Sequence, residues 1–188
     1  FWAMCLAMST SGVGGSNLLA GFYNGGVFRS TDNGASWSEA NNGLAIASVY
    51  SLAVSPNGVG GSNLFAGYGG SYGGGVSLST DNGSSWRSAN NGWPFGCIST
   101  AFAIVPASGG TGGSDLFAAA GGALFGQANG VYRSTDNGTN WIAVNTGLTN
   151  MYWINTIAVS GTNLFAGIAY GGVCLSTDNG NHWTEAST

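Results

Sequence analysis

Charged side chains are scarce in this sequence: three arginines and seven acids are the only charges among 188 residues, and lysine is absent. A net charge of −4 without a basic cluster argues against nucleic acid or an anionic membrane surface as a partner. No run approaches the roughly 18 apolar residues of a membrane span. Because so weakly charged a surface associates easily, we expect a protein partner or self-association.

Cysteine and histidine are also rare, at three residues and one residue. The spacing of Cys5, Cys97 and Cys174 matches no metal or redox motif. We expect buried thiols that act as small apolar side chains, with a single disulfide as the alternative. His182 is expected to be a surface turn residue, so the sequence predicts no metal site and no cofactor.

One motif occurs four times: Ser-Thr-Asp-Asn-Gly, two variable residues and Trp, at 30–37, 79–86, 134–141 and 176–183. The aspartates lie 49, 55 and 42 residues apart, and a near-regular period of this size indicates a repeat architecture. We call the motif the box. Its recurring structural residues are Asp32, Gly34 and Trp37; Asp81, Gly83 and Trp86; Asp136, Gly138 and Trp141; and Asp178, Gly180 and Trp183.

The second repeat predicts four short strands, at 49–55, 63–67, 75–79 and 85–89, separated by Gly- and Asn-rich turns. The first strand of every repeat sets an alanine between two larger apolar residues, as crowded innermost strands require. These alanines are Ala7, Ala53, Ala103 and Ala158. We therefore predict an all-β fold, a β-propeller of four-stranded antiparallel blades with a box in each turn between strands three and four. Residues 1–188 form one domain or segment, with blades at about 2–43, 44–92, 93–147 and 148–188.

The chemistry of the box predicts a structural role. Its aspartate should accept hydrogen bonds from backbone N–H groups one or two residues further on. Asn-Gly supplies the positive φ of a tight turn, and the tryptophan should begin the fourth strand and bury its ring.

The box resembles the Asp-box, or BNR, repeat Ser-x-Asp-x-Gly-x-Thr-Trp of sialidases, sortilin-type receptors, xyloglucanases and photosystem-assembly propellers. The residue before the tryptophan is Ser36, Ser85, Asn140 or His182 rather than the usual threonine. The longer consensus resembles tandem repeats of secreted bacterial surface proteins. The resemblance covers nearly the whole chain and implies the propeller fold and an extracellular or cell-surface, bacterial location. It implies no particular activity, because the box occurs in enzymes, receptors and scaffolds alike.

The arginines and acids of the sequence are not spaced like the catalytic residues of a known glycosidase. A sialidase-like enzyme would need three converging arginines, but Arg29 and Arg133 occupy one repeat position that is leucine in the other repeats. That position is expected to be blade surface. Glycosidases need two carboxylates beside the scissile bond. Four of the seven acids are box aspartates, Glu39 and Glu185 fall on outer strands, and Asp115 replaces a recurring asparagine. We therefore predict no enzyme activity, and the boxes lack the further acids of a calcium loop.

Aromatic residues collect at one end of the predicted blades. Box turns and the turns between strands one and two share one end, which we call the box end. The opposite end, the loop end, carries the other loops, and its aromatic residues form the candidate binding face: Tyr23, Tyr68, Tyr72, Trp93, Phe95, Phe125, Tyr152, Trp153 and Tyr170. Aromatic rings in variable loops are typical of a binding surface. The alternative is that they cap the core. The insertion at 121–129 is the segment most favoured for function.

The main functional prediction is a non-catalytic extracellular scaffold or binding module with a protein partner. Two alternatives remain open. One is a structural subunit of a filament or surface assembly, and the other is a carbohydrate-binding or glycoside-hydrolase-related propeller that uses the aromatic loops to hold a glycan.

Overall fold

The computed structural model of the chain describes residues 2–11, 15–44, 48–57, 60–70, 73–106, 114–122, 130–148 and 153–187. Every regular element in these ranges is a β-strand. Accordingly, the described residues contain no helix long and apolar enough to cross a membrane.

The strands form four antiparallel sheets of four strands each, and within each sheet the strands pair in chain order. Sheet 1 contains β1 (Ala3–Ser11), β2 (Gly15–Phe22), β3 (Gly26–Ser30) and β4 (Ser38–Glu39). Sheet 2 contains β5 (Ser48–Pro56), β6 (Ser62–Gly70), β7 (Gly73–Ser79) and β8 (Arg87–Ser88). Sheet 3 contains β9 (Ile98–Pro106), β10 (Ser114–Gly121), β11 (Gly130–Ser134) and β12 (Ile142–Ala143). Sheet 4 contains β13 (Ile154–Ser160), β14 (Asn163–Ile168), β15 (Gly172–Ser176) and β16 (Thr184–Ser187). The predicted all-β fold of four-stranded antiparallel units is confirmed.

The first strand of each sheet carries the same irregularity. One residue is skipped where this strand pairs with the second strand, and the skipped residues are Met4, Tyr50, Thr100 and Asn155. An extra residue of this kind bends a strand and increases its twist. Because the bend recurs near the loop end of every sheet, the four sheets share one curvature.

The fourth strand is shorter than the sequence suggests. Residues 85–89 were predicted as a strand, but β8 comprises only Arg87–Ser88. The reason is that the backbone N–H of Trp86 donates to the carbonyl of Asn42 in sheet 1, at 2.8 Å, rather than pairing within its own sheet. The box tryptophan therefore begins a contact between sheets and not a strand.

Three apolar clusters fill the spaces between successive sheets. The cluster between sheets 1 and 2 contains Leu19, Val27 and Ala40 from sheet 1, packed against Leu64 and Trp86 from sheet 2. Equivalent clusters join sheet 2 to sheet 3 and sheet 3 to sheet 4. The first strands β1, β5, β9 and β13 pack side by side in this order. The core therefore lies between the blades, and the predicted crowding of the first strands follows from their position.

The cysteines lie in these clusters or beside them. Cys97 and Cys174 are buried and Cys5 is half-buried, and all three are thiols rather than disulfide partners. Burial raises the pKa of the Cys5 thiol to about 11. The expectation of small apolar thiols is confirmed.

Candidate functional site

The box closes on itself through its serine and aspartate. In the first box the hydroxyl of Ser30 donates to Asp32 Oδ1 at 2.7 Å and accepts from the backbone N–H of Gly34 at 2.8 Å. The second oxygen, Asp32 Oδ2, accepts from the hydroxyl of Ser36 at 2.5 Å. The other three boxes repeat the serine contacts to aspartate and glycine within 0.1 Å.

The backbone partner of the aspartate differs from the prediction. Asp32 Oδ1 accepts from the N–H of Ser36, four residues further on, at 2.9 Å, rather than from an N–H one or two residues away. The equivalent donors in the other boxes are Ser85, Asn140 and His182. The difference arises because the asparagine and glycine between them both adopt positive φ, which turns the fourth N–H back toward the carboxylate.

These hydrogen bonds favour the ionised carboxylates. Contacts from the side chain and backbone of Ser36 lower the pKa of Asp32 from 3.8 to about 2. Burial raises the pKa of Asp81 and Asp136, but the hydrogen bonds they accept outweigh it, and both pKa values fall below the ordinary range. At Asp178 the backbone N–H of His182 is the main cause of the lowered pKa. All four aspartates are thus committed as acceptors within their own turns.

The box tryptophan holds neighbouring sheets together. The indole N–H of Trp86 donates to the carbonyl of Ala40 in sheet 1 at 2.8 Å. Trp141 donates in the same way to Ala89, and Trp183 to Val144. The rings of Trp86, Trp141 and Trp183 are 5%, 3% and 1% exposed, whereas Trp37 is 41% exposed. The predicted burial of the box tryptophan is therefore wrong for Trp37, because no sheet covers it.

A glycine that follows the fourth strand of each of the first three sheets completes this contact. Gly43 has φ of +77°, and a Cβ there would overlap the carbonyl oxygen of Trp86. Gly92 meets Trp141 and Gly147 meets Trp183 in the same manner. These glycines are visible in the sequence as the Asn-Gly or Thr-Gly that follows each of the first three boxes. Their role could not be predicted, because it depends on the neighbouring sheet.

The arginines do not converge. Arg29 donates from Nη1 to the carbonyl of Asn82 at 2.9 Å, so it reaches the box of the next sheet. Arg133 forms an ion pair with Asp115 at 2.6 Å and lies over the ring of Phe117, 5.8 Å from its centroid. Both arginines are thus engaged in contacts that link strands or sheets at the box end, as the predicted packing of their stems on the blade suggested.

Four members of the candidate binding face are exposed: Tyr23, Phe95, Trp153 and Tyr170. Tyr23 lies at the turn between β2 and β3, with its ring 6.1 Å from that of Trp2. Trp153 precedes β13 and packs against Gly121 and Gly122 of sheet 3. These rings lie at the loop end.

Trp93 corrects the prediction for the candidate binding face. It is buried, its indole N–H donates to the carbonyl of Cys97 at 3.0 Å, and its ring meets Trp141 edge-on at 5.6 Å. Trp93 therefore caps the core, as the alternative interpretation held. Tyr68 is half-buried and accepts a hydrogen bond from Asn90 at 3.0 Å. Tyr72, Phe125 and Tyr152, with insertion residues 123–129, lie outside the described residues.

A cavity of about 280 Å³ opens at the loop end, where the first strands of sheets 2 and 3 begin. Its lining residues come from all three neighbouring sheets: Tyr23, Asn24, Ser48, Tyr50, Gly70, Gly96, Ile98 and Gly122. The hydroxyl of Ser48 donates to Asn24 Oδ1 and accepts from the backbone N–H of Asn24, both at 3.0 Å. This pair fixes the turn that carries Tyr23.

The sequence indicated two residues of this cavity, Tyr23 and, within the insertion at 121–129, Gly122. Tyr50 was missed because the alternating pattern of β5 assigns it to the core. In the structure it is the residue skipped where β5 pairs with β6, and it lines the cavity. The Tyr-Asn-Gly-Gly sequence could have identified Asn24 as a turn residue, and its φ is +52°. Beside the cavity, Gly122 touches both Ile98 and the indole of Trp153, which extends the aromatic surface toward sheet 4.

None of the seven acids lines the cavity. The box aspartates lie at the opposite end of the sheets, and Asp115 at the start of β10 shares that end. Glu39 and Glu185 lie in the outermost strands, paired opposite Phe28 and Cys174. The cavity is therefore uncharged, with hydroxyl, amide and aromatic groups as its chemistry.

Comparison with known proteins identifies the fold. No family model and no curated protein matches the chain. An ancestral GH74 enzyme matches with a TM-score of 0.72 and 21% identity, over 99% of this chain and 24% of that one. The GH74 xyloglucanase from Xanthomonas campestris matches with a TM-score of 0.66 and 16% identity, over 91% and 27%. A Hadza microbial sialidase matches with a TM-score of 0.53 and 18% identity, over 96% and 45%.

These matches correct the main functional prediction. The chain spans about a quarter of the length of the two GH74 enzymes, and at these identities the likeness establishes the fold. The structures that it resembles are glycoside hydrolases and a sialidase, which contradicts the interpretation as a scaffold module and favours the carbohydrate-related alternative. The chain is an all-β protein whose four-stranded sheets are β-propeller blades like those of GH74 enzymes and sialidases.

Proposed function

We propose that this chain is a carbohydrate-binding propeller segment related to glycoside hydrolases, and that it holds a neutral polysaccharide at the loop end. The observation that carries the proposal is the uncharged cavity of about 280 Å³ between Tyr23 and Tyr50. Its polar groups are the amide of Asn24, whose NH2 can donate to sugar hydroxyls, and the hydroxyl of Ser48, which already donates to Asn24 Oδ1 and can accept one further hydrogen bond. Aromatic planes offer an apolar surface to the C–H face of a sugar ring.

The uncharged lining of the cavity favours neutral glycans over charged ones. Recognition of a carboxylated sugar such as sialic acid calls for a cation, since charge-assisted contacts to carboxylates come from arginine or lysine. Arg29 and Arg133 are engaged at other contacts, and neither lines the cavity. The chemistry therefore suits a neutral chain of the kind that the Xanthomonas campestris xyloglucanase acts on.

Trp153 extends the binding surface beyond the cavity. Its indole lies against Gly122, and Gly122 itself lines the cavity. A polysaccharide that places one residue between Tyr23 and Tyr50 would continue along this direction, across Ile98. The bound unit is therefore a stretch of several sugars.

We propose further that this chain by itself does not hydrolyse its glycan. Hydrolysis needs two carboxylates on either side of the scissile bond. Every acid of the sequence lies at the box end or in an outer strand. This arrangement supports binding without cleavage by these 188 residues.

The box is, on this proposal, an Asp-box, because its serine, aspartate and glycine occupy the positions of that consensus and close the turn together. A polysaccharide ligand also favours an extracellular or cell-surface location in a bacterium. Two of the structures described above, from Xanthomonas campestris and a microbial sialidase, come from microbial sources.

Titration of the chain with xyloglucan oligosaccharides by calorimetry tests the proposal. Binding is expected, and Tyr23→Ala or Trp153→Ala should weaken it about two- to tenfold, since stacking on one aromatic ring contributes about 0.5–1.5 kcal/mol. Ile142→Ala is the matched control, because Ile142 is an exposed apolar residue of the outer strand β12. No heat of binding would refute glycan binding, and an equal loss with the control variant would refute the loop end as the binding site. Release of reducing ends during prolonged incubation would refute the absence of hydrolysis.

A further inference from the structure

The three contacts between sheets follow one template. From the later sheet come a pair of apolar residues on the first strand, such as Leu52 and Val54, and the box tryptophan, Trp86. From the earlier sheet come a valine on the third strand, Val27, and the carbonyl of Ala40 that accepts the indole N–H. Val76 and Val131 fill the place of Val27 in the next two contacts, and all three valines are fully buried.

Sheet 1 presents the later half of this template, and no other sheet among the described residues packs against that half. Leu6 and Met8 occupy the places of Leu52 and Val54, and they are 72% and 63% exposed. Together with Leu18 and Trp37 they line an apolar groove of about 290 Å³. Six of the ten large apolar side chains that are exposed in the described residues belong to sheet 1 and the segments next to it. A contiguous apolar patch of this kind marks an interaction surface.

Sheet 4 presents the earlier half of the same template. Val173 occupies the place of the three buried valines, yet it is only partly covered. Phe165 stands where Phe65 and Phe117 are fully buried, and it is also only partly covered. Ala186, three residues after the box tryptophan like Ala40, is exposed, but it is the residue skipped where β16 pairs with β15, so that Ser187 lies opposite Val173. The chain therefore carries both halves of its own sheet-to-sheet contact, one on each outer sheet.

We propose that sheet 4 of a second copy of this chain docks against sheet 1, so that two copies join head to tail. The indole N–H of Trp37 then donates to the Ala186 carbonyl of the other copy, as Trp86 donates to Ala40. Leu6 and Met8 pack against Val173 and Phe165. The contact is heterologous, since the two copies use different surfaces.

A second copy fits this groove better than an unrelated partner for two reasons. The contact continues an interface that the chain already makes three times, with the same strand, valine and carbonyl in register. The residues named on both halves are also uncharged: Leu6, Ala7, Met8, Leu18 and Trp37 line the groove, and Val173 and Phe165 lie in sheet 4. No like charges therefore oppose the approach.

Light scattering on the purified chain across a range of concentrations tests the proposal. A mass that rises from one copy to two or more with concentration is expected. Leu6→Asp with Met8→Asp removes the sheet 1 half, and Ala186→Arg blocks the sheet 4 half. Each variant alone should be monomeric, because head-to-tail association of one variant with itself needs both halves. Circular dichroism should show that both variants stay folded, since the changed residues are exposed.

Mixing the two variants gives the decisive result. Each then supplies the half that the other lacks, so the mixture should form dimers and nothing larger. Ile142→Asp, an equal change on the outer strand β12, should associate like the unchanged chain. A monomer at every concentration, association that either variant retains, or a mixture that stays monomeric would each overturn the proposal. Glycan binding is measured separately at the loop end, so its loss and the loss of association are distinguishable.

Discussion

Trp86 and Trp37 end two boxes of nearly the same sequence, yet their surroundings differ. Both follow an aspartate that accepts a backbone N–H four residues further on, at 2.9 Å. Trp86 is buried and donates its indole N–H to Ala40 of the preceding sheet, whereas Trp37 lines an open groove. The comparison shows that the box closes by itself, while the burial of its tryptophan depends on the sheet next to it.

Replacing a covered tryptophan tests this comparison with the largest expected effect. Trp141→Ala removes a ring packed against Trp93, together with the hydrogen bond to Ala89, and should lower the free energy of unfolding by about 3–5 kcal/mol. Trp37→Ala, measured in dilute protein, should cost less than about 1 kcal/mol because no sheet covers that ring. Urea unfolding of both variants gives the two values. Equal losses would show that the tryptophan acts within its own box.

The glycine beneath the covered tryptophan should have a smaller effect. Gly92 and Gly60 both have positive φ, at +79° and +88°, so alanine is strained by about 1–2 kcal/mol at either position. A Cβ at Gly92 also meets the Trp141 carbonyl, whereas at Gly60 nothing lies within 4 Å. Gly92→Ala should therefore lose about 1–2 kcal/mol more than Gly60→Ala in urea unfolding. The same loss for both variants would mean that sheets 2 and 3 can separate enough at Gly92 to admit a methyl group without lowering the free energy of unfolding.

The smallest effect is the response of the boxes to pH, and it should be shared by covered and uncovered boxes alike. The pKa of Asp32 is about 2 when folded and 3.8 when unfolded, and the pKa values of Asp81, Asp136 and Asp178 are lowered too. A lowered folded pKa stabilises the fold above the unfolded value. That stability is lost as the pH falls. The melting temperature should therefore drop from pH 4 toward pH 2.

Asp81→Asn serves as the matched variant for this measurement. It removes one of the four titrating carboxylates, so the melting temperature at pH 7 should be lower and the drop between pH 4 and pH 2 should be shallower than in the unchanged chain. A drop as steep as that of the unchanged chain would show that the acid sensitivity arises outside the boxes.

Much of the fold could be predicted from the sequence because the signals are local. The alternating apolar residues and Asn-Gly turns of each repeat predicted the four strands, and the first three strands of sheet 2 lie where residues 49–55, 63–67 and 75–79 indicated. The fourth strand was overextended at Trp86. Its N–H bonds to another sheet, and no pattern within one repeat reveals a partner in the repeat before it.

The candidate site was less predictable for the same reason. Tyr23 was identified as a loop aromatic, but Trp93 in a similar loop is buried against Cys97 and Trp141. Tyr50 lines the cavity although its sequence pattern is that of a strand core. Exposure at the loop end depends on the approach of three sheets, which the spacing of residues along the chain does not specify.

By itself the sequence determined the unit: a four-stranded meander whose box aspartate, asparagine and glycine close a turn through contacts at most four residues apart. Only the tertiary structure decided what each copy of that unit does, since the box tryptophans bond to carbonyls 39 to 52 positions away in sequence. Burial of Trp86 and exposure of Trp37 follow from that packing, as do the cavity at the loop end and the two unmatched outer faces. Local hydrogen bonds need only neighbouring residues, whereas apolar burial needs a second surface.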